Sequence, residues 1–170
     1  MNSMTYTRQA VGQIALLILA LVGIGISIYL TIVHYNAAPL VCSTSGLVDC
    51  ENVLSSPYSV VPGTQIPISV PGLFWFVVYA ALSFGAWRLW PGKRELRIAE
   101  LVWSALGMLT VFYLVYAEIV RIGKICAWCT GVHVIILLTL LIAVFLLQEA
   151  PADEEYDVEE EPSSVTALHD

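Results

Sequence analysis

Between Arg8 and His34 the chain runs through 25 consecutive uncharged residues, mostly Leu, Ile, Val, Ala and Gly. A helix needs roughly 20 apolar residues to cross a bilayer, so this stretch alone commits the chain to a membrane. It is too long for the apolar region of a cleaved signal peptide, and no small-residue cleavage site follows it cleanly. Three more stretches share its character: Pro71 to Trp87 or Trp90, Leu101–Ala117, and Ile125–Leu147, the last interrupted only by His133. The third has 17 uncharged residues between Glu100 and Glu118, short enough that a terminal turn bearing a charge must reach the interface. The pattern predicts an all-α membrane protein, a four-helix transmembrane bundle over residues 10–147, with residues 1–9 and 148–170 outside it.

Composition agrees. Only 12% of the 170 residues are charged and 58% are hydrophobic, with a mean hydropathy of +0.80. A soluble domain carries roughly 25% charged residues, and a chain this short could not bury four such helices in a soluble core. The net charge of −7 comes from the tail: nine of the 14 acidic residues lie between Glu149 and Asp170, where there is no Lys or Arg. Such a tail cannot bury enough apolar area to offset its ordering entropy and reads as disordered. No basic patch interleaves with aromatics, so nucleic acid is not an expected partner; membrane lipid is.

Basic residues orient the bundle. Arg8 precedes the first span, and Arg88, Lys93, Arg94 and Arg97 sit between spans two and three; only Arg121 and Lys124 lie at the other end. Short cytoplasmic loops carry the excess of Lys and Arg. The bias predicts a multi-pass protein of the cell inner or cytoplasmic membrane, with both termini and the 88–100 connection cytoplasmic. The segment from His34 to Val70 is then extracytoplasmic. It is longer than an ordinary connector and reads as a lid, with Val53, Leu54, Ile66, Ile68 and Val70 lying against the membrane. Within it, Asp49–Ser56 reads as a short helix ended by Pro57.

All four cysteines fall on that outer side, a placement reached from Lys and Arg alone. Cys42 and Cys50 lie on the long segment, and Cys126-Ala-Trp-Cys129 opens span four. A CxxC at a helix start can form an exchangeable disulfide, and the helix N-terminus favours a thiolate. At 100° per residue, Cys126, Cys129 and His133 fall within about 60° of one another. They line one face running from the interface into the bilayer. The outer pair suits a shuttle between an external substrate and the helix pair. Two structural disulfides are the alternative. A four-cysteine zinc site would need a second CxxC, so no metal is expected.

Dithiol electrons must leave somewhere, because exchange between disulfides only moves oxidation around. The membrane offers a quinone, menaquinone or ubiquinone, as acceptor. Its ring would sit beside Cys129 among Tyr29, Phe74, Trp75, Tyr113 and Tyr116, residues that could equally serve the interface belt or the bundle core. Glu118 reads first as an interface charge. His133 is a polar group inside a span, suited to the pocket, to a proton relay or to an interhelical hydrogen bond.

These pieces resemble a bacterial or archaeal member of the vitamin K epoxide reductase family. The resemblance rests on "VCSTSGLVDCENVLSSPY" with Cys42 and Cys50, on the Pro-Gly opening span two, and on "ICAWCTGVH", in that order. It implies that Cys129 reacts with the quinone and that Cys126 is its resolving partner. It also implies that Cys50 shuttles to Cys126, while Cys42 meets a reduced thioredoxin-like protein. Ser56 matches the family serine that holds the loop over the pocket. No thioredoxin-like sequence follows, so the resemblance implies a separate extracytoplasmic thioredoxin-like partner. The other four-helix disulfide oxidases carry their CxxC in the first outer loop, the reverse of this order. Two positions depart from the vertebrate enzymes: Ile68 stands where they have an Asn, and His133 where they have a Tyr. Both departures favour plain quinone reduction coupled to disulfide formation over epoxide reduction.

Overall fold

The computed structural model describes residues 3–36, 40–42, 45–91 and 93–148. Four helices are long and apolar enough to cross a membrane, as expected: Thr7–Asn36, Ser69–Leu89, Arg94–Ile122 and Ala127–Gln148. In helix terms these are α1 (Ser3–Asn36), α3 (Ser69–Phe84), α4 (Arg94–Tyr116) and α5 (Ala127–Gln148), with the short α2 (Cys50–Leu54) between the first two. The last turns of spans two and three widen into π-helix over Gly85–Leu89 and Ala117–Ile122. The acidic tail expected to be disordered falls at 149–170, outside the described residues.

The spans pack α1 on α3, α4 on α5, α1 on α5 and α3 on α4. Roughly a third of each faces its neighbours, and the outward faces carry Ile18, Leu21, Leu109, Phe112, Leu141 and Phe145. That inversion of a soluble protein's surface is what lipid requires. Glycines set the close approaches: a Cβ on Gly12 would meet Leu146, and one on Gly23 would overlap the Phe76 ring. Small residues at such crossings let backbones come together where lipid supplies no hydrophobic drive. Phe76, Met108, Val111, Ile135 and Ile136 form one core cluster; Leu16, Ala20, Tyr79 and Leu146 form a second.

The connection between spans two and three is shorter than the sequence suggests. Arg97 and Glu100 are not loop residues: α4 begins at Arg94, and both side chains are buried inside the bundle. Charged groups survive there because other spans supply partners. Arg97 donates to the Gln9 amide oxygen (3.0 Å) and to the Leu146 carbonyl (3.1 Å). The Gln13 amide donates to the Glu100 carboxyl (2.9 Å), and Ser104 donates to the Tyr79 hydroxyl (3.0 Å). Tyr79 in turn reaches the Thr139 carbonyl (3.4 Å). All four spans are tied at this end by bonds worth about 0.6 kcal/mol each on average.

At the opposite end the segment after α1 folds over the bundle. Asp49 caps α2 by accepting from the Asn52 N–H (3.1 Å), close to the short helix expected from Asp49 to Ser56, and Pro57 opens a single 3₁₀ turn. A narrow turn with Gly63 in the left-handed region (φ 78°) follows, and Ile68 N–H bonds back to the Ser59 carbonyl (2.8 Å). The chain thus reaches α3 pinned across the mouth of the bundle.

Candidate redox site

Gly123 (φ 69°) ends the widened turn of span three in the left-handed region and sends the chain back toward α5. Cys126 is the last residue before α5, and its sulfur accepts the backbone N–H of Cys129 at 3.3 Å. The Thr130 N–H and hydroxyl both bond the Cys126 carbonyl, at 2.9 and 3.0 Å. Cys126 sulfur therefore takes the acceptor's part at a helix start, where exposed N–H groups favour negative charge. The Cys129 thiol beside it adds a hydrogen bond and holds the Cys126 thiol below the usual cysteine range. A sulfur so placed is a good thiolate.

Cys42 and Cys50 are joined by a disulfide, while Cys126 and Cys129 are free thiols. The loop pair is strapped to the helix pair through the residue before Cys126. Asp49 N–H donates to the Ile125 carbonyl (3.0 Å), and Ile125 N–H donates to the Leu47 carbonyl (2.9 Å). Cys50 and Cys126, each 0% exposed, share one buried cluster with Val53, and Cys42 and Cys129 pack against it. All four cysteines thus meet at one end of the bundle.

Two cavities open beside them. The larger, about 340 Å³, lies among spans one to four and is lined by Phe74, Trp75, Trp103, Gly107, Cys129 and His133 among others. The smaller, about 60 Å³, lies under the folded-over segment and is lined by Ser56, Tyr58, Glu118, Cys129 and His133 among others. Cys129 and His133 are on the walls of both. Ser56 donates to the Val53 carbonyl at 2.7 Å, so it braces α2 over the small cavity. Of the aromatics singled out in the sequence, Phe74 and Trp75 line the large cavity. Tyr113 and Tyr116 line neither and are about half exposed on the outer face of span three. They flank Leu114, which takes the inward position in both cavities. Tyr29 turns to Val41 and Trp128 instead.

Sequence reading missed Trp103, Gly107 and Thr110 on the cavity wall. With Leu114 they recur at helical spacing on one face of α4, a signal hidden because that span is apolar all round. Trp75 and Trp103 exchange indole-to-carbonyl bonds, both 3.1 Å, which lock α3 to α4 beside the cavity. Glu118 is not an interface charge: it is 6% exposed and sits in the π-helical turn against the cysteine pair.

Residues 14–144 match the model of the vitamin K epoxide reductase family. No curated protein matches the chain. A paired-cysteine loop and a terminal CxxC, brought together on a four-span bundle, are an arrangement for thiol–disulfide redox chemistry. With the match covering most of its length, the chain belongs to the vitamin K epoxide reductase family.

Proposed function

We propose that this protein oxidises the dithiol of a separate extracytoplasmic thioredoxin-like protein and passes the electrons to a membrane quinone, supporting disulfide formation. The observation that carries the reading is the split environment of the CxxC. Cys126 packs with Cys50, whereas Cys129 lines a cavity within the usual 300–1,000 Å³ of small-molecule sites. Mostly apolar walls, two tryptophans and a few polar side chains, His133 among them beside Cys129, suit a lipid-soluble ring with a carbonyl oxygen to be recognised. Ile68 lines the same cavity; an apolar side chain there favours plain quinone reduction over reduction of an epoxide.

In this relay the partner reduces Cys42–Cys50. The Cys50 thiolate then attacks the Cys126 sulfur of an oxidised Cys126–Cys129 pair, releasing Cys129. Cys42 next attacks Cys50, closing the loop disulfide and leaving both electrons on the helix pair, which gives them with two protons to the quinone. The test is oxygen-free quinone reduction driven by a reduced thioredoxin-like protein, with vitamin K epoxide assayed alongside. Absence of quinol formation with every quinone offered would leave the structural-disulfide reading.

A Cys129→Ala variant holds three cysteines sharing one disulfide, so its pairing reports which loop cysteine meets Cys126. Non-reducing peptide mapping should find Cys50–Cys126 among the products in clear excess over Cys42–Cys126. The opposite excess would reverse the assigned order.

Orientation has its own check. After reduction, a membrane-impermeant thiol reagent applied from outside should label the native cysteines, with buried Cys50 and Cys126 slowest. A cysteine introduced at exposed Lys93 should stay unlabelled until the membrane is opened. Labelling of that site from outside would invert the bundle.

A further inference from the structure

Of the two residues between the helix cysteines, Trp128 is also tied to the loop. Trp128 indole N–H donates to the Val41 carbonyl at 2.9 Å, and Val41 N–H donates to the Tyr29 hydroxyl at 3.1 Å. The Tyr29 and Trp128 rings lie 5.0 Å apart, tilted. Val41 itself is 77% exposed, so burial of its side chain does not hold it. The clamp grips its peptide groups from both sides, one jaw on α1 and one on α5.

Among the described residues the loop and the CxxC region are thus tied in two separate places. The stretch leading to Cys50 is strapped to Ile125, the residue before Cys126; the residue before Cys42 is clamped by Trp128, the residue before Cys129. While the loop disulfide is closed, the Cys42–Cys50 bond holds both cysteines in place. Once it is reduced or exchanged, the Ile125 strap still keeps Cys50 against Cys126. The clamp then still fixes the peptide groups on both sides of Val41, next to Cys42.

We propose that Trp128, with Tyr29, is a positioning residue that holds Cys42 at the rim of the bundle. Cys50 alone then exchanges with Cys126, and Cys42 stays available to the partner. This deepens the relay described above and rests on it. Without the clamp the Cys42 sulfur gains the freedom to meet Cys126, opening an unproductive pairing in which the two loop cysteines change places.

The Cys129→Ala full-length chain is the background for the test. Its exchange is balanced internally: Cys126 thiolate attacks one sulfur of Cys42–Cys50, one S–S bond forms, one breaks, and the displaced cysteine leaves as thiolate. Attack at Cys50 gives Cys50–Cys126; attack at Cys42 gives Cys42–Cys126. Adding Trp128→Phe keeps a ring against Tyr29 but removes the N–H donor. Tyr29→Phe keeps the other ring and removes the acceptor. Each should raise the ratio of Cys42–Cys126 to Cys50–Cys126 by about threefold or more, the scale of one lost hydrogen bond. Mapping is done at equal thermal stability in detergent, which a packing role alone would not leave unchanged while the ratio moved. If Trp128→Phe fails to fold, Tyr29→Phe carries the test. Parental ratios in the folded variants would overturn the proposal. Failure of the relay reading looks different, because the Cys129→Ala parent would then already favour Cys42–Cys126 before either clamp residue is touched.

Discussion

Replacing Cys129 is expected to abolish quinone reduction, by about a thousandfold or more, the scale on which an active site loses its reacting nucleophile. Cys129 lies one turn deeper than Cys126 and is the cysteine on the wall of the large cavity. A thiolate there beside a bound quinone should give a long-wavelength absorption band. In the native pair the Cys126 sulfur draws the hydrogen bonds, accepting the Cys129 N–H at 3.3 Å. Cys126→Ala removes that competing acceptor and the disulfide that would complete the transfer, so the band should strengthen while turnover stops. Cys129→Ala should show neither band nor turnover. His133→Phe should keep the cysteine chemistry and weaken quinone binding by about 1–3 kcal/mol if a buried hydrogen bond is lost. Anaerobic spectra of each variant with added quinone, read beside turnover, check the set. A Cys129 variant with near-normal quinone reduction would end the assignment, and an unchanged His133→Phe would return His133 to packing.

Gly107→Leu should damage the same step by another route. A Cβ at this position would lie 2.7 Å from the Trp75 ring. That ring cannot retreat freely: it exchanges two bonds with Trp103, stacks on Tyr79 at 5.1 Å between centroids, and meets Phe76 edge-on at 4.9 Å. The added side chain therefore intrudes on the cavity or forces α3 from α4. Overpacking of this kind costs about 1–3 kcal/mol of stability. The quinone KM should rise about tenfold or more, equivalent to at least about 1.4 kcal/mol of binding. The loop disulfide sits away from that wall, so oxidation of the thioredoxin-like partner in a single turnover, without quinone, should keep its native rate. Loss of that single turnover in a folded variant would show that the cavity does not serve the quinone step alone.

How much was legible beforehand differs by element. The four spans follow from uninterrupted apolar length, because a bilayer demands that every backbone group be bonded within the segment. The helix before Pro57 follows from Asp49 as a cap and from proline's missing N–H. The cysteines declare themselves by type and spacing, and their common end by the two spans that separate the loop pair from the CxxC. The aromatics expected around the cavity were only half legible. Phe74, Trp75, Tyr113 and Tyr116 all lie near the right depth, but depth along a helix is a one-dimensional quantity. Which of them faces the cavity depends on rotation about the helix axis, and an apolar span carries no polar face to reveal it.

A membrane bundle with one cysteine pair on the loop and another at a helix start can therefore be read from the chain alone. Local chemistry is enough for that: apolar length, helix geometry and the reactivity of a CxxC. Packing of the helices settled the rest. It buried Arg97 and Glu100 by bringing them partners from spans far away in the chain, where sequence could only count them as loop charges. It turned Tyr113 and Tyr116 outward, put Trp103 and Gly107 on the cavity wall, and joined Trp128 to Val41 across 87 residues of sequence. Each of these outcomes is a contact between side chains or peptide groups that no local pattern encodes, because it exists only once the helices have packed.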